Sequence, residues 1–430
     1  MNLAVICLVV LVGVLVVSCV SKLNVGLAAF AAAWIIGTYL APRFGSNIDA
    51  ASVVAGFPVK LFLDLAGTTL LFAAAQVNGT LGVLVEGGVR LCGGRARRLP
   101  LLYFLLAALL SAIGPGNIAA AALLAPSALA LSARLKIPPL VMIIAVAHGS
   151  IAGGASSLTP IGLIIADNYR KHGLSDVFGS TLAMNAVVNA VLALGGGLLF
   201  GGRWWFNADG PVAEDITARG IVSAEVEVGP AARMTTAHVV TLCVILALIA
   251  AVLTVRNVNL GFAAITAAVF VFLTRSADES ASIRAMPWNV ILLVAGMSTF
   301  VTLCEKVGAV DLISQAMKHV ADERTVVAWS AFVTGVISIF SSTSGVVLPT
   351  FLPAVGDIVR EVGGGDPGSV AVAIVVGSNA VDVSPLSTIG ALCIAAAAKN
   401  FETRPLFNRM LLWGFAMAPL AALVCQLLLR

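Results

Sequence analysis

The chain reads as an all-α polytopic membrane protein made of two inverted-topology repeats, each with a re-entrant hairpin and a broken transmembrane helix. Three observations lead there. The chain is 60% hydrophobic and only 11% charged, with a mean hydropathy of +1.04; soluble domains carry about 25% charged residues. Its halves also match in three ordered blocks. Asn24, Gly26, Ala28, Ala29, Ala32 and Ala33 match Asn259, Gly261, Ala263, Ala264, Ala267 and Ala268, a shift of 235. Pro58, Ala66, Gly67 and Gly79 match Pro287, Ala295, Gly296 and Gly308, a shift of 229. Gly149, Ser150, Ser156, Leu158, Ile161 and Gly162 match Gly377, Ser378, Ser384, Leu386, Ile389 and Gly390, a shift of 228. Finally, each half holds long apolar stretches interrupted by polar residues, Gly and Pro. Paired broken segments in a membrane protein point to a transporter whose site lies at the repeat interface.

Uncharged runs long enough to span the roughly 30 Å hydrocarbon core predict spans near 2–20, 25–41, 59–78, 139–166, 177–200, 236–255, 258–274, 288–304, 368–398 and 406–428. Residues 2–20 lack a basic leader and a clear cleavage site, so they read as the first span and not as a signal peptide. The first repeat covers 1–200, with a hairpin at 99–133 and a broken span at 139–166. A linker at 201–235, with Trp204 and Trp205 at the membrane interface, leads to the second repeat at 236–430, with a hairpin at 325–360 and a broken span at 368–398. Residues 306–320 read as an amphipathic connector on the membrane surface. The seven cysteines show no metal-ligand spacing and read as buried thiols.

The hairpins follow from length and charge. No charged residue lies between Arg98 and Arg134, and Gly114-Pro115-Gly116-Asn117 divides that stretch into pieces of about 15 residues. Each is short of the ~20 needed to cross. Arg90, Arg95, Arg97 and Arg98 precede the stretch and Arg134 and Lys136 follow it; by the positive-inside rule both ends are cytoplasmic. In the second half Ser341-Ser342-Thr343-Ser344-Gly345 is the break, and its flanks are mixed or acidic (Asp311, Asp322, Glu323, Arg324, then Asp357, Arg360, Glu361 and Asp366), which suits the outer face. Both termini then fall outside and the 201–235 linker inside, in a cell inner membrane. Lys22, Arg203 and Arg275 agree with this orientation, and Arg170 and Lys171 oppose it. The competing reading is that each hairpin is two ordinary spans. The net charge of +4 sits in short loops and carries no sign of nucleic-acid binding.

The two broken spans are interrupted at Gly153 to Pro160 and at Asp382 to Thr388. Proline removes a backbone donor and clashes with the preceding turn, and irregular backbone at membrane depth survives only when buried or lining a watery cavity. The four breaks are rich in Ser, Thr, Asn and Gly and hold no Lys or Arg. Such a cluster suits an anion held by helix N-termini and hydroxyls, with a hard cation such as sodium on carbonyl and hydroxyl oxygens. The substrate candidates are Asn117, Ser156, Ser157, Thr159, Thr343, Ser344, Ser384, Thr388 and His148. The cation candidates are Gly116, Asn117, Gly154, Ser342, Ser344, Asp382, Ser378 and Asn379. The plainer reading of a Ser or Thr here is a bond to its own helix or a neighbouring one. His148 and Asp382 are ionisable groups inside apparent spans, which marks them as functional candidates. The alternatives are a structural hydrogen bond for His148 and a helix cap for Asp382.

These residues resemble the ion transporter superfamily, which includes the divalent anion/sodium symporters, and within it most closely the malonate/C4-dicarboxylate carriers of the MatC type. The resemblance covers nearly the whole chain. The symporters carry Ser-Asn-Thr at each hairpin tip, with Pro nine residues after the Asn. Gly116-Asn117-Ile118 precedes Pro126 at that spacing, and Thr343-Ser344-Gly345 precedes Pro353. Asn117 keeps the central residue, Ser344 replaces it at the second tip, and neither outer position of the first tip is kept. Gly153 to Thr159 approximates the family's Gly-Gly-x-x-Thr-like run. The resemblance implies a dicarboxylate symporter with sodium as the coupling ion, no other cofactor, an elevator mechanism and a homodimer in the bilayer. A proton-coupled carrier, an exporter and the large subunit of a binding-protein-dependent transporter are the alternatives. No enzyme constellation is present: there is no His-Glu-x-x-His, phosphate loop or Gly-x-Ser-x-Gly. A membrane-embedded enzyme using His148 and Asp382 would lack a third supporting group. Asp382→Asn is expected to abolish gradient-driven uptake in proteoliposomes; near-normal transport with intact ion dependence would remove Asp382 from the mechanism.

Overall fold

The computed structural model describes residues 3–20, 23–46, 48–83, 96–202, 204–207, 234–254, 259–340, 343–398 and 400–429. Ser342, Arg90, Arg95, Lys22 and Arg203 lie outside the described residues, as does most of the 201–235 linker. All regular structure among the described residues is helical. Six helices there are long and apolar enough to cross a membrane: Gly26–Phe44, Val59–Val77, Gly116–Arg134, Ser175–Gly201, Trp288–Lys306 and Thr403–Leu428. Large apolar side chains face outward, as with Leu101, Leu105 and Leu109 on the shorter helix Leu99–Ala112 and Leu412, Leu423 and Leu427 on Thr403–Leu428. A soluble protein rarely exposes contiguous patches of this kind; lipid tails cover them at no cost.

Lipid is as apolar as a leucine side chain, so helices associate in it through close packing and interhelical hydrogen bonds. Helix Val25–Ile35 lies against Trp288–Lys306, and Val59–Val77 lies against Leu260–Leu273. Glycine sets both crossings. A Cβ at Gly26 would stand 2.1 Å from the Leu292 carbonyl oxygen, and one at Gly296 would stand 2.0 Å from that of Gly26. A Cβ at Gly67 would stand 2.2 Å from the Gly261 carbonyl oxygen, and one at Gly261 would stand 2.6 Å from that of Leu63. These four glycines are positions matched between the halves, and the contacts are reciprocal: 26 meets 296 while 261 meets 67. The first turns are also capped alike. Asn24 accepts from the Gly26 N–H and Asn259 from the Phe262 N–H.

Asp64 ties the second crossing. It is 4% exposed; one carboxylate oxygen accepts from the Gly261 N–H at 2.8 Å and the other pairs with Lys60 at 2.7 Å. Lys60, four residues earlier on the same helix face, was the one signal in the sequence for this buried carboxylate.

The first hairpin runs through Leu99–Ala112 and Gly116–Arg134. Between them Gly114 has φ +144° and Gly116 has φ +81°, values an L side chain rarely adopts, so the reversal needs glycine there. The expectation of two pieces of about 15 residues holds only for the first arm. The second has 19 residues and is long enough to cross, because Pro126 sits inside the helix without ending it. In the second half Val326–Phe340 is followed by a π-helical turn at Thr343–Val347, then Leu348–Phe351 and Val355–Val362.

Residues 139–166 form two helices, Pro139–Gly153 and Pro160–Lys171, and residues 368–398 form two more, Pro367–Ala380 and Thr388–Ala397. The first member of each pair packs on an apolar helix earlier in the chain, Leu99–Ala112 in one case and Val326–Phe340 in the other. Gly149 and Gly377 make these contacts: a Cβ would stand 2.4 Å from the Phe104 carbonyl oxygen in one and 2.3 Å from that of Ala331 in the other. Gly67→Ala is expected to lower the Tm of the purified protein in detergent, since overpacking costs about 1–3 kcal/mol. Gly195→Ala, where an added Cβ meets nothing within 4 Å, is expected to leave the Tm unchanged or slightly higher.

Candidate functional site

A helix interrupted inside an apolar protein exposes carbonyls and N–H groups that need partners. Both breaks solve this in the same way. The Thr159 hydroxyl is placed to donate to the carbonyls of Gly154, at 2.5 Å, and Ser156, at 2.8 Å, and it accepts from the Gly162 N–H at 3.0 Å. The Ser387 hydroxyl is placed to donate to the carbonyls of Asp382 and of Ser384. Thr159 and Ser387 are the N-cap residues of the helices that resume. The returning backbone passes so close that a Cβ at Gly162 or Gly390 would overlap the Ser156 or Ser384 carbonyl oxygen. Thr159 is therefore committed to holding its break together. Ser387 does the same work and was missed, although Ser387 lies 228 residues after Thr159.

A cavity of ≈ 200 Å³ lies beside the first break. The first tip lines it with Pro115, Gly116, Asn117, Ile118 and Ala119, and the resumed helix adds Pro160 and Ile161. Helix Val59–Val77 contributes Thr69, Phe72, Ala73 and Gln76; the second half contributes Ala285, Pro287, Val290 and Ser344. The volume is below the ~300–1,000 Å³ of drug-sized sites and suits a small ligand. Two helices, Gly116–Arg134 and Pro160–Lys171, begin at its wall. A helix N-terminus carries roughly half a positive charge, which favours an anion; in these two first turns Thr159 already holds the Gly162 N–H and Asn117 the Ile118 N–H. Among the described residues, no Asp, Glu, Lys or Arg lines the cavity. The Asn117 oxygen accepts from the Ile118 N–H at 2.9 Å, and its amide NH₂ has no partner among the described residues. It remains available as a donor to a carboxylate. A larger space of ≈ 420 Å³ elsewhere is lined by Glu305 and Asp357, whose charge opposes an anion.

Of the candidates drawn from sequence, Gly116, Asn117 and Ser344 line the cavity. Gly154 backs Asn117, where a Cβ would approach the Asn117 Cβ to 3.3 Å. Ser156 is half-buried and Ser157 exposed within the first break, and Thr388 is exposed at the start of its helix; none of the three lines the cavity. Ser384 is buried and donates to the Ile339 carbonyl at 3.3 Å. The Ser378 hydroxyl donates at 2.7 Å to the Ile374 carbonyl of its own helix. Thr69 and Gln76 were missed; seven residues apart in an apolar span, they mark one polar stripe.

A second polar group lies at the other break. The Asp382 carboxylate is buried, and its Oδ1 accepts from the Thr343 hydroxyl at 2.9 Å, with the Ser338 hydroxyl at 3.5 Å. The helix-cap alternative for Asp382 does not hold, because Ser387 occupies the N-cap position and the carboxylate is turned to the Thr343 and Ser338 hydroxyls. His148 is fully buried with both ring nitrogens engaged. Nδ1 meets the Asn189 amide oxygen at 2.8 Å, and Nε2 accepts from the Trp413 indole N–H at 3.1 Å. An indole only donates, so Nε2 is the acceptor and the ring is neutral with its proton on Nδ1. This is the structural-bond alternative; a protonated His148 reaching for a carboxylate is not the arrangement present. Asn379 joins the same network through Asn185 at 3.1 Å. Asn185, Asn189 and Trp413 were missed, although two Asn four residues apart in an apolar span signal a shared polar face.

Fold and site together define a polytopic helical membrane protein with a small cavity beside two helix N-termini, free of charged side chains among its described lining residues. Residues 1–154 match the family model described as the dicarboxylate carrier protein MatC N-terminus. The resemblance to MatC-type carriers is borne out over that stretch, which ends inside the first break. A comparison with curated proteins finds no match. Thr159→Val is expected to lower the Tm, because losing a cap costs about 0.5–2 kcal/mol; Thr159→Ser, which keeps the hydroxyl, is expected to recover most of that loss.

Proposed function

We propose that the chain is a secondary active transporter that imports a dicarboxylate of the malonate or C4 class together with a cation, sodium first among them, by an elevator movement. The observation that carries this reading is the cavity. It offers two helix N-termini and the Asn117 amide to an anion, and no fixed positive charge. An anion taken from water by partial charges alone benefits from a co-bound cation, since burial of an isolated charge is expensive. The buried oxygens of Asp382, Thr343 and Asn379 at the second break are of the type that suits a hard cation. The family match over residues 1–154 supports the dicarboxylate class.

The reciprocal glycine crossings and the twin breaks support an inverted repeat. In that arrangement the hairpins and broken spans form the moving body and the crossed helices the fixed one, paired in a homodimer in the inner membrane.

The test uses the purified chain alone in liposomes, with labelled malonate and succinate under an inward sodium gradient, an inward proton gradient, or neither. Saturable uptake driven by sodium is the expected result. Uptake driven by protons alone would replace sodium, and no uptake with either, in inserted and folded protein, would sink the self-sufficient carrier. Asn117→Leu is expected to raise the KM for the dicarboxylate about tenfold or more, the loss of one hydrogen bond to a charged group worth about 1.5–3 kcal/mol.

A further inference from the structure

Every group in the buried network around His148 has its donor or acceptor role fixed from one end. The Trp413 indole can only donate, so His148 Nε2 accepts and Nδ1–H donates to the Asn189 oxygen. Asn189 must then offer its NH₂, which reaches the Asn185 backbone carbonyl at 2.9 Å and the Asn185 side-chain oxygen at 3.4 Å. Asn185 gives its own NH₂ to the Ile151 carbonyl at 2.8 Å. Its side-chain oxygen therefore accepts, and the Asn379 NH₂ donates to it at 3.1 Å. Reversing any one amide would bring donor against donor or acceptor against acceptor. The Asn379 side-chain oxygen is what the network leaves over. It is buried, in a residue 1% exposed, and has no partner among the described residues.

Leaving an acceptor unpaired at such depth is costly, and four helices cooperate to keep it so: Pro139–Gly153, Phe178–Gly201, Pro367–Ala380 and Thr403–Leu428. Asn379 lies in the last turn before the second break, and the Asp382 N–H donates to its backbone carbonyl at 3.1 Å. Asp382 therefore follows Asn379 by one turn of the chain. Its Oδ1 holds the Thr343 hydroxyl, and its Oδ2 has no partner among the described residues. A cation drawing on the amide oxygen and the carboxylate would meet oxygen ligands with a single negative charge. That suits a hard monovalent cation; a divalent ion draws on more carboxylates.

We propose that the buried chain from Trp413 through His148, Asn189 and Asn185 is a positioning relay that presents the Asn379 oxygen, with the Asp382 carboxylate, to a monovalent cation. The proposal deepens the cation-coupled reading above and rests on it for what the bound cation is used for. Binding itself is measured without any transported substrate.

The purified full chain in detergent is melted while sodium replaces choline at constant ionic strength, with potassium in a parallel series. The unmodified protein is expected to gain stability with sodium and to saturate. Asn379→Leu, which keeps the branched shape without the amide, is expected to raise the half-saturating sodium concentration about tenfold, equivalent to about 1.4 kcal/mol. Trp413→Phe keeps an aromatic ring and touches neither ligand, yet removes the N–H from which the polarity starts. It is expected to raise the half-saturating concentration about threefold, a smaller step on the same scale, and it decides the matter if Asn379→Leu does not fold. A purely structural role for Trp413 would lower the Tm at every sodium concentration and leave half-saturation in place, which overturns the relay. Insensitivity of the unmodified protein to sodium, or unchanged half-saturation in Asn379→Leu, overturns the cation site. Failure of dicarboxylate uptake overturns only the transport reading, because this melting experiment contains no dicarboxylate.

Discussion

Backbone polar groups at membrane depth have no water to turn to, and each one left unpaired costs several kcal/mol by transfer measurements. That constraint governs the centre of this molecule. A helix stopped at Gly153 and resumed at Pro160 needs partners for the carbonyls it strands, and Thr159 supplies them from within the break. Ser387 supplies them at the second break. With the carbonyls satisfied locally, the N-termini of the resumed helix and of the hairpin's return arm are left to face the cavity. Positive potential at the cavity therefore comes from backbone, since no Lys or Arg is among its described lining residues.

The same constraint shapes the packing around the breaks. Apolar side chains gain little by leaving lipid for protein, so the helices hold together where backbones come close. Gly26 and Gly296, and Gly67 and Gly261, allow crossings in which a Cβ would collide with a carbonyl oxygen. Asp64 then uses one oxygen on the Gly261 N–H, a donor left free in the first turn of its helix. Close approach and capping are thus one arrangement, and the side chain that would have filled the gap is absent in both halves.

Polar side chains divide into those that repair local backbone and those that face a ligand space, and composition does not tell them apart. Thr159 and Ser378 look like ligands in sequence, yet both hydroxyls are spent on nearby carbonyls. Asn117 differs because it lines the cavity and its oxygen is used by the neighbouring N–H, while its amide nitrogen has no partner among the described residues. His148 shows the limit most clearly. An ionisable group in a membrane span suggests chemistry, but its partners Asn189 and Trp413 lie 41 and 265 residues away in the chain. Only their placement shows a neutral ring inside a network of fixed polarity.

The apolar runs, the interruptions by Gly and Pro, and the matched positions between the halves were legible because backbone geometry and lipid solubility act on each residue where it stands. Gly116 needs its φ of +81° whatever packs nearby, and Pro160 opens a helix by its own ring. The cavity's composition, the engagement of His148, the clamp at Asp64 and the unpaired oxygen of Asn379 were decided by tertiary structure alone. Periodicity cannot separate faces that meet protein from faces that meet lipid when both are apolar. A polar side chain's role depends on which donor or acceptor a distant helix brings within about 3 Å.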